Sequence, residues 1–498
     1  FAFRTESTVS QGYARLTQAH DGTWKAWTVF TELIELEGQK SNATKWEAMD
    51  DPKWHSSTEG NLSWTDARDP SRPFPSTTPT VLIVGGGQAG LQTAAHFENL
   101  GIDYVLIEKA RRLGNSWRSR HYNLTTNTPS FADHFSYLPF PASWPVSVPK
   151  DKVANWIESY AEALDLDVWT EHEALDAQYL EDEGRWRARV RRPSGEVVVI
   201  KPKHLIFASG FFGPAKDLTF PNAKTFSGTV FNSSQYTSGH AWKGKKAVIV
   251  GAGSTAHDIA KDLVEQGCTD VTMIQRSPTH IISFQKGVRM AYEANFGPAG
   301  EVDLEVADLK YKSTPLPILL DLTDEFTKHV TSDLVDGELL SKLRESGFRV
   351  STDGLLRRSL TPPALGGYYI NQGASELIIE GRVKVVAGGV VDLYSDGVVL
   401  ADGTHVQADL VVTCAGFHTT VDILRPVIGD EIADQLSASW VLDHVKRGGE
   451  HGVVFGESGI PNMWLAAGGM HQTRLYSSYL ALKIAALERN LVTSVGAP

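Results

Sequence analysis

Cysteine is nearly absent: Cys268 and Cys414 are the only two in 498 residues. A disulfide framework is therefore excluded, and the scarcity fits a reducing, cytoplasmic compartment. The two are also far apart in sequence, so no Cys-x-x-Cys pair exists to carry dithiol redox chemistry. A basic surplus is missing as well. Lys+Arg total 47 against 59 Asp+Glu, a formal charge of −12, which argues against nucleic acid or an anionic membrane as partner. No apolar run approaches the ~20 residues of a membrane span. No His, Cys, Asp and Glu cluster has metal-ligand spacing, so no metal is expected; His134, His240, His257 and His471 read as structural or surface groups rather than catalytic ones. The chain opens on Phe1 with no signal-peptide pattern, which reads as a trimmed start.

What is present is ordinary globular composition, 42% hydrophobic and 21% charged, over a length that suggests about three domains at roughly 150 residues each. Residues 1–40 alternate like strands around His20-Asp21-Gly22-Thr23, a hairpin signal. Residues 41–79 show no period and read as a linker or wrapping segment. At Thr80 the character changes. Val81-Leu82-Ile83-Val84 is a buried strand, Gly85-Gly86-Gly87-Gln88-Ala89-Gly90 follows, a helical period follows that, and Tyr104–Ile107 forms a second strand ending at Glu108. The order returns later. Ala247–Val250 leads into Gly251-Ala252-Gly253-Ser254-Thr255-Ala256, a helix, and Val271–Ile274 ending at Gln275-Arg276-Ser277.

After each unit a small antiparallel meander is expected, one over 186–200 and one over 383–403. Each is closed by an apolar strand and a small-residue turn, Leu205–Gly210 and Leu410–Phe417. Residues 284–366 fit neither copy and read as an insertion with a helical run from Leu316, and Gln472–Leu491 reads as a C-terminal helix. The repetition of the whole order predicts an α/β protein with two Rossmann-like dinucleotide-binding domains.

The chemistry follows from the turns. Gly85 permits a sharp turn, Gly87 lets backbone approach a pyrophosphate, and Gly90 lets helix and strand pack closely; the helix N-terminus then offers free N–H groups to phosphate. Glu108 suits a pair of ribose hydroxyls. Where the first copy has that carboxylate, the second has Arg276, which pairs with a 2′-phosphate that a carboxylate would repel. The second site is thus expected to prefer NADPH over NADH; the alternative is a solvated arginine at a strand end. Trp117 covers the cofactor or fills core, and Asn127 sits in a polar turn.

The chain resembles the class B flavoprotein monooxygenases, the flavin-containing monooxygenase family, nearest the branch of plant-type indole-3-pyruvate monooxygenases and their fungal relatives. The resemblance spans about residues 79–490. It rests on Gly85–Gly90, Gly114-Asn115-Ser116-Trp117, Thr126-Asn127-Thr128-Pro129, Leu138-Pro139-Phe140-Pro141, Trp242-Lys243-Gly244-Lys245, Gly251–Ala256 and Cys414-Ala415-Gly416-Phe417. One departure is visible. The family's Phe-x-Gly-x-x-x-His signature here reads Phe226-Ser227-Gly228-Thr229-Val230-Phe231-Asn232, so Asn232 stands where the histidine would. Ser254 likewise replaces a common asparagine. Residues 1–40 resemble the closing strands of the cone-shaped fold of ketosteroid-isomerase-like domains; a plain strand appendage is the alternative.

The resemblance implies FAD in the first domain and NADPH in the second, with the second inserted in the first. The expected limits are 1–78 for a β-rich appendage and linker, 79–216 and 417–498 for the FAD domain, and 217–416 for the NADPH domain with an insertion at about 284–366. It implies that NADPH reduces FAD, that a flavin C4a-(hydro)peroxide forms, and that one oxygen atom passes from dioxygen to a small N-, S- or carbonyl-type substrate, with a homodimer as the assembly. The cofactor set is Gly85, Gly87, Gln88, Ala89, Gly90, Glu108, Lys109, Trp117, Arg118, Thr126 and Asn127, then Gly251, Gly253, Ser254, Thr255, Ala256, Arg276, Ser277, Ala415, Gly416 and His471. The helix N-terminus within Gly468–Arg474 would face the flavin pyrimidine. Asn127 and Asn232 are the catalytic candidates. Two other readings stay open: an NADPH oxidase that releases hydrogen peroxide, motivated by Asn232, and a non-catalytic flavoprotein.

Overall fold

The computed structural model describes residues 1–38, 65–66, 69, 72–297, 301–352, 367–439 and 454–492. Most of the expected linker at 41–79 and part of the insertion at 353–366 lie outside the described residues.

Two five-stranded parallel sheets organise the chain. The first runs in the order Met463–Leu465, His204–Phe207, Val81–Val84, Tyr104–Glu108, Val168–Thr170. The second runs Thr229–Asn232, Leu410–Thr413, Lys246–Val250, Asp270–Gln275, Val383–Ala387. In both, the strand feeding the glycine turn sits between the next strand in the chain and a much later one. That reversal of direction opens a crevice at the carboxyl ends of the strands. The strands read as unbroken apolar runs because both faces are covered. Val81, Ile83, Leu106 and Ile206 pack under the helix Gln88–Leu100, while Leu82, Val105, Ile107, Leu205 and Phe207 pack with Trp169 and Trp186 on the other side.

Each sheet carries an antiparallel meander. The first is Glu173–Leu180, Arg185–Arg191, Val197–Ile200 and the second is Val390–Tyr394, Gly397–Leu400, His405–Gln407. Here the expectation for 383–386 fails. Val383–Ala387 pairs in parallel with Asp270–Gln275 as a fifth sheet strand, the counterpart of Val168–Thr170. A short run of three valines and a lysine reads alike in either setting, and only the partner strand decides.

Between 284 and 352 the described residues form the helices Arg289–Phe296, Leu304–Lys312, Leu316–Val330 and Gly337–Glu345. It is bracketed by the parallel pair His280–Ser283 and Tyr368–Asn371. The C-terminal helix runs Met470–Glu488 and lies along Gln88–Leu100; Gln92 Nε2 donates to Thr473 Oγ1 at 2.7 Å inside that contact.

The N-terminal residues form an antiparallel sheet of Ala2–Arg4, Thr8–Gln18 and Trp24–Leu36. Its inner face is tied to the body. Arg15 donates to the Ser313 and Lys310 carbonyls at 2.8 and 3.0 Å, and buried Glu32 meets Gln11, Lys312 and the Tyr479 hydroxyl. Its other face leaves Leu16, Trp24 and Val29 exposed. Among the described residues no helix is long and apolar enough to cross a membrane.

Candidate functional site

The two glycine turns are built alike. Gly85 has φ +118° and Gly251 φ +126°, conformations open to glycine and closed to side chains with a Cβ. A Cβ would also strike the neighbouring turn, 2.5 Å from the Ala208 carbonyl oxygen at Gly85 and 2.4 Å from that of Cys414 at Gly251. Gly87 by contrast faces open space, and the nearest atom to a Cβ at Gly253 is 4.0 Å away. Each turn thus leaves a vacant surface at the N-terminus of its helix, Gln88–Leu100 or Ser254–Glu265, where a pyrophosphate fits both sterically and electrostatically.

Around the first turn, Glu108 is held by two backbone donors, Gly86 N and Ala110 N, each at 2.8 Å. Its carboxylate is therefore fixed at the rim of the turn. Gln88 donates to the Gly468 carbonyl at 3.0 Å and accepts from the Trp117 indole at 3.1 Å. That bond places the N-terminus of Met470–Glu488 beside the first turn, so two positive helix ends converge there. Trp117 packs against the main core as well, as its core-filling reading expects.

Other expected contacts are placed differently. The Arg118 guanidinium bonds Asn155 at 3.0 Å, Glu158 at 2.9 Å and the Leu113 carbonyl, bracing the helix Lys150–Ala163. Lys109 points into a shallow cavity of about 400 Å³ shared with Arg111, Arg191, Arg192, Glu171 and Glu173. Thr126 is buried; its hydroxyl donates to Thr128 O and accepts from Val148 N, both at 2.9 Å. Asn127 is half-buried, and its Oδ1 accepts from Gln372 Nε2 at 3.0 Å.

At the second turn Ser254 begins the helix and its Oγ donates to the Tyr368 carbonyl at 2.8 Å, Thr255 follows in the first helical turn, and Ala256 is fully buried. Arg276 and Ser277 are exposed at the strand end. Among the described residues Arg276 has no carboxylate partner. Sequence reasoning missed its neighbour: buried Gln275 holds Arg349 by two backbone bonds of 2.7 and 2.9 Å, and the Arg349 guanidinium donates to the Arg276 carbonyl at 3.2 Å. Two guanidiniums therefore stand at this strand end. No spacing rule could announce a cation 73 residues downstream. Ala415 and Gly416 lie in the turn after Leu410–Thr413, and the Gly416 carbonyl accepts from Lys216 N at 2.9 Å.

Asn232 ends the edge strand of the second sheet. It caps the short helix Ser233–Gln235 in a capping box and donates to Asp217 at 2.5 Å, so both ends of its amide are engaged.

His471 touches the insertion. Its Nε2 lies 3.3 Å from Asp308 Oδ1, and Arg474 bonds the same carboxylate at 2.7 and 3.0 Å. Burial would raise the Asp308 pKa, yet the hydrogen bonds from His471 and Arg474 and the arginine charge outweigh it and hold the carboxyl below its ordinary value. Nearby Asp133 goes the other way, pushed up by burial. Phe296 and Tyr311 close around the His471 ring. His257 stacks on Tyr369 at 4.1 Å and is pushed down to about 4 by burial, so it is neutral at pH 7.

Comparison with known proteins agrees with this geometry. Residues 82–291 match the family model described as pyridine nucleotide-disulphide oxidoreductase, although both cysteines here are free. The chain is 28% identical over 359 residues to indole-3-pyruvate monooxygenase YUCCA1 of Oryza sativa subsp. japonica, covering 71% of this chain and 80% of that one. It is 29% identical over 347 residues to the FAD-containing monooxygenase EthA of Mycolicibacterium smegmatis, covering 68% and 69%. Among solved structures, cyclohexanone monooxygenase from Rhodococcus sp. Phi1 bound to NADP+ superposes with a TM-score of 0.58 at 18% identity, covering 83% of this chain and 86% of that one.

Proposed function

We propose that this chain works as a class B flavin-dependent monooxygenase, as its likeness to such enzymes supports, and that its own residues serve FAD and NADPH as follows. The observation that carries the reading is the pair of open cradles whose rims bear opposite charge, Glu108 on the first and Arg276 on the second. Gly85, Gly87, Gln88, Ala89 and Gly90 would hold the FAD pyrophosphate, and Glu108 its ribose. Gly251, Gly253, Ser254, Thr255 and Ala256 would hold the NADPH pyrophosphate, with Arg276, Ser277 and Arg349 around the 2′-phosphate. Trp117, Ala415, Gly416 and the helix end at Gly468–His471 would close the flavin side. The FAD domain would comprise 79–216 and 417–498, and the NADPH domain 217–416.

Bound FAD supplies hydride acceptance and reaction with dioxygen; the protein supplies orientation, donors and exclusion of water. Asn127 would donate a hydrogen bond to bound NADP+ while oxygen passes to a small N-, S- or carbonyl-type substrate. The aromatic wall of Phe131, Tyr292, Phe296 and Tyr311 is the surface we assign to shaping that substrate's access. The free thiols of Cys268 and Cys414 support a cytoplasmic setting. The exposed apolar face of the N-terminal sheet supports a homodimer, which sedimentation velocity would register as twice the chain mass.

The test is NADPH consumption against peroxide release in the FAD-loaded protein, over sulfides, amines and 2-oxo acids. A compound that suppresses peroxide while NADPH consumption continues establishes oxygen transfer. An NADPH oxidase is the second reading, favoured by Asn232, which can donate a hydrogen bond but cannot carry charge. Asn232→His is expected to lower the peroxide yield; an unchanged yield removes Asn232 from the coupling machinery.

A further inference from the structure

One polar network joins the strand beside the second cradle to the segment Thr125–Asn127. Gln372 follows the strand Tyr368–Asn371, whose first carbonyl is the acceptor for Ser254 of the second turn. Its backbone N–H donates to the Tyr369 hydroxyl at 3.0 Å. Its side chain crosses to the segment Thr125–Asn127 on the other side of the crevice. There Nε2 donates to the Thr126 carbonyl at 3.1 Å and to Asn127 Oδ1 at 3.0 Å. Oε1 accepts from the Thr125 hydroxyl at 2.8 Å and lies 3.0 Å from the Ser147 hydroxyl, whose shorter bond of 2.6 Å goes to the Thr126 carbonyl.

The partners leave one consistent orientation. A backbone carbonyl only accepts, so the Gln372 atom facing Thr126 O has to be the NH2 group. The same nitrogen faces Asn127, and the Asn127 atom it meets has to be the oxygen. The opposite end of Asn127 is then Nδ2, a donor, and it makes no other hydrogen bond among the described residues. A lone asparagine amide could present either end; this one cannot turn without setting donor against donor.

We propose that Gln372 is the positioning residue of Asn127, turning the carboxamide so that Nδ2 is the end offered to bound NADP+. The proposal rests on the role given to Asn127 under the proposed function. It also makes the offer conditional on where the segment Thr125–Asn127 sits relative to the strand Tyr368–Asn371.

The experiment is an equilibrium titration of the FAD-loaded protein, without turnover, using NADP+ and, in parallel, 2′,5′-ADP, which keeps the phosphate end and lacks the nicotinamide. Melting temperature and FAD content are recorded for every variant. Gln372→Glu keeps the acceptor for Thr125 but replaces the donor, so Asn127 has to turn and present oxygen. Gln372→Glu and Asn127→Ala are each expected to weaken NADP+ about fivefold, the scale of one hydrogen bond, with 2′,5′-ADP affinity unchanged. The double variant is expected to bind NADP+ no more weakly than Asn127→Ala alone. Additive losses, or a loss with Asn127→Ala and none with Gln372→Glu, overturn the positioning role. No loss with Asn127→Ala overturns the Asn127 reading itself and the proposal with it. Should Gln372→Glu not fold, Gln372→Leu leaves Asn127 free to take both orientations and is expected to cost about twofold by the same hydrogen-bond scale; no change there also overturns the proposal.

Discussion

The two glycine cradles are near copies, and what separates them is instructive. Both begin with a glycine at positive φ wedged against a neighbouring turn, and both leave the glycine two residues on, Gly87 or Gly253, open to a ligand. They part at the third small residue and at the strand end. A Cβ at Gly90 would lie 1.9 Å from the Gly85 carbonyl oxygen, while the second turn holds the methyl of Ala256 in full burial. The first strand end carries Glu108, the second Arg276. The backbone arrangement is therefore common to both turns, and the proposed function assigns the choice of nucleotide to side chains outside it.

The difference in tightness should give the largest effect. Gly90→Ala forces backbone apart at the first turn. We expect a loss of at least about 3 kcal/mol, the upper end for overpacking, with little FAD retained. Ala256→Gly in the second turn should cost only about 1 kcal/mol through helix propensity and leave NADPH use intact. Thermal melting with flavin absorbance checks both, and comparable losses at the two sites would show that the turns are equally tight.

The difference in charge comes next. Arg276→Ala removes a charge-assisted contact worth roughly 1.5–3 kcal/mol, so the KM for NADPH should rise about 10- to 100-fold while that for NADH stays put. Arg349→Ala should act in the same direction but by less, about fivefold on that scale, because one of its guanidinium donors is already committed to the Arg276 carbonyl. Parallel losses with NADPH and NADH in Arg276→Ala would sink its part in selecting the phosphate.

That selection is partly legible in the sequence alone. Glycine spacing, strand polarity and the Glu108/Arg276 contrast are local signals, because turn geometry and strand ends are set by a few adjacent residues. The presence of two nucleotide-binding units is legible too, since repetition of a whole unit is hard to produce by chance. What stays hidden depends on tertiary pairing. Arg349 and Gln372 reach the crevice from segments with no motif. Arg118 reads as a cofactor contact from its place after Trp117, yet it turns toward Glu158 on the next helix. Asn232 stands out as a departure from a family signature, and its local amide bonds account for its position at the strand end without naming a further partner.

The smallest expected effect separates the two sheets by acid. In the first, buried His204 on the strand His204–Phe207 accepts the Trp464 indole N–H on Nδ1 at 3.2 Å. With Nδ1 taken as an acceptor, Nε2 donates to Glu488 at 2.9 Å; Lys203 reaches the same carboxylate at 2.9 Å. The His204 hydrogen bond, aided by Lys203 and opposed by burial, brings Glu488 down to about 2. A carboxyl whose folded pKa is depressed stabilises fully above its unfolded value near 4.5, and that contribution fades as pH falls toward 2. The clip ties the C-terminal helix to the first sheet, and the second sheet has no strand in this contact. Because Glu488 is partly exposed, its contribution at pH 7 should be about 1 kcal/mol after solvent screening. Glu488→Gln should therefore lower the urea midpoint at about pH 7 and flatten its fall between about pH 4.5 and about pH 2.5, bringing variant and parent together at the acid end. A variant whose midpoint falls with pH as steeply as the parent's would place the acid sensitivity elsewhere and remove this distinction between the sheets.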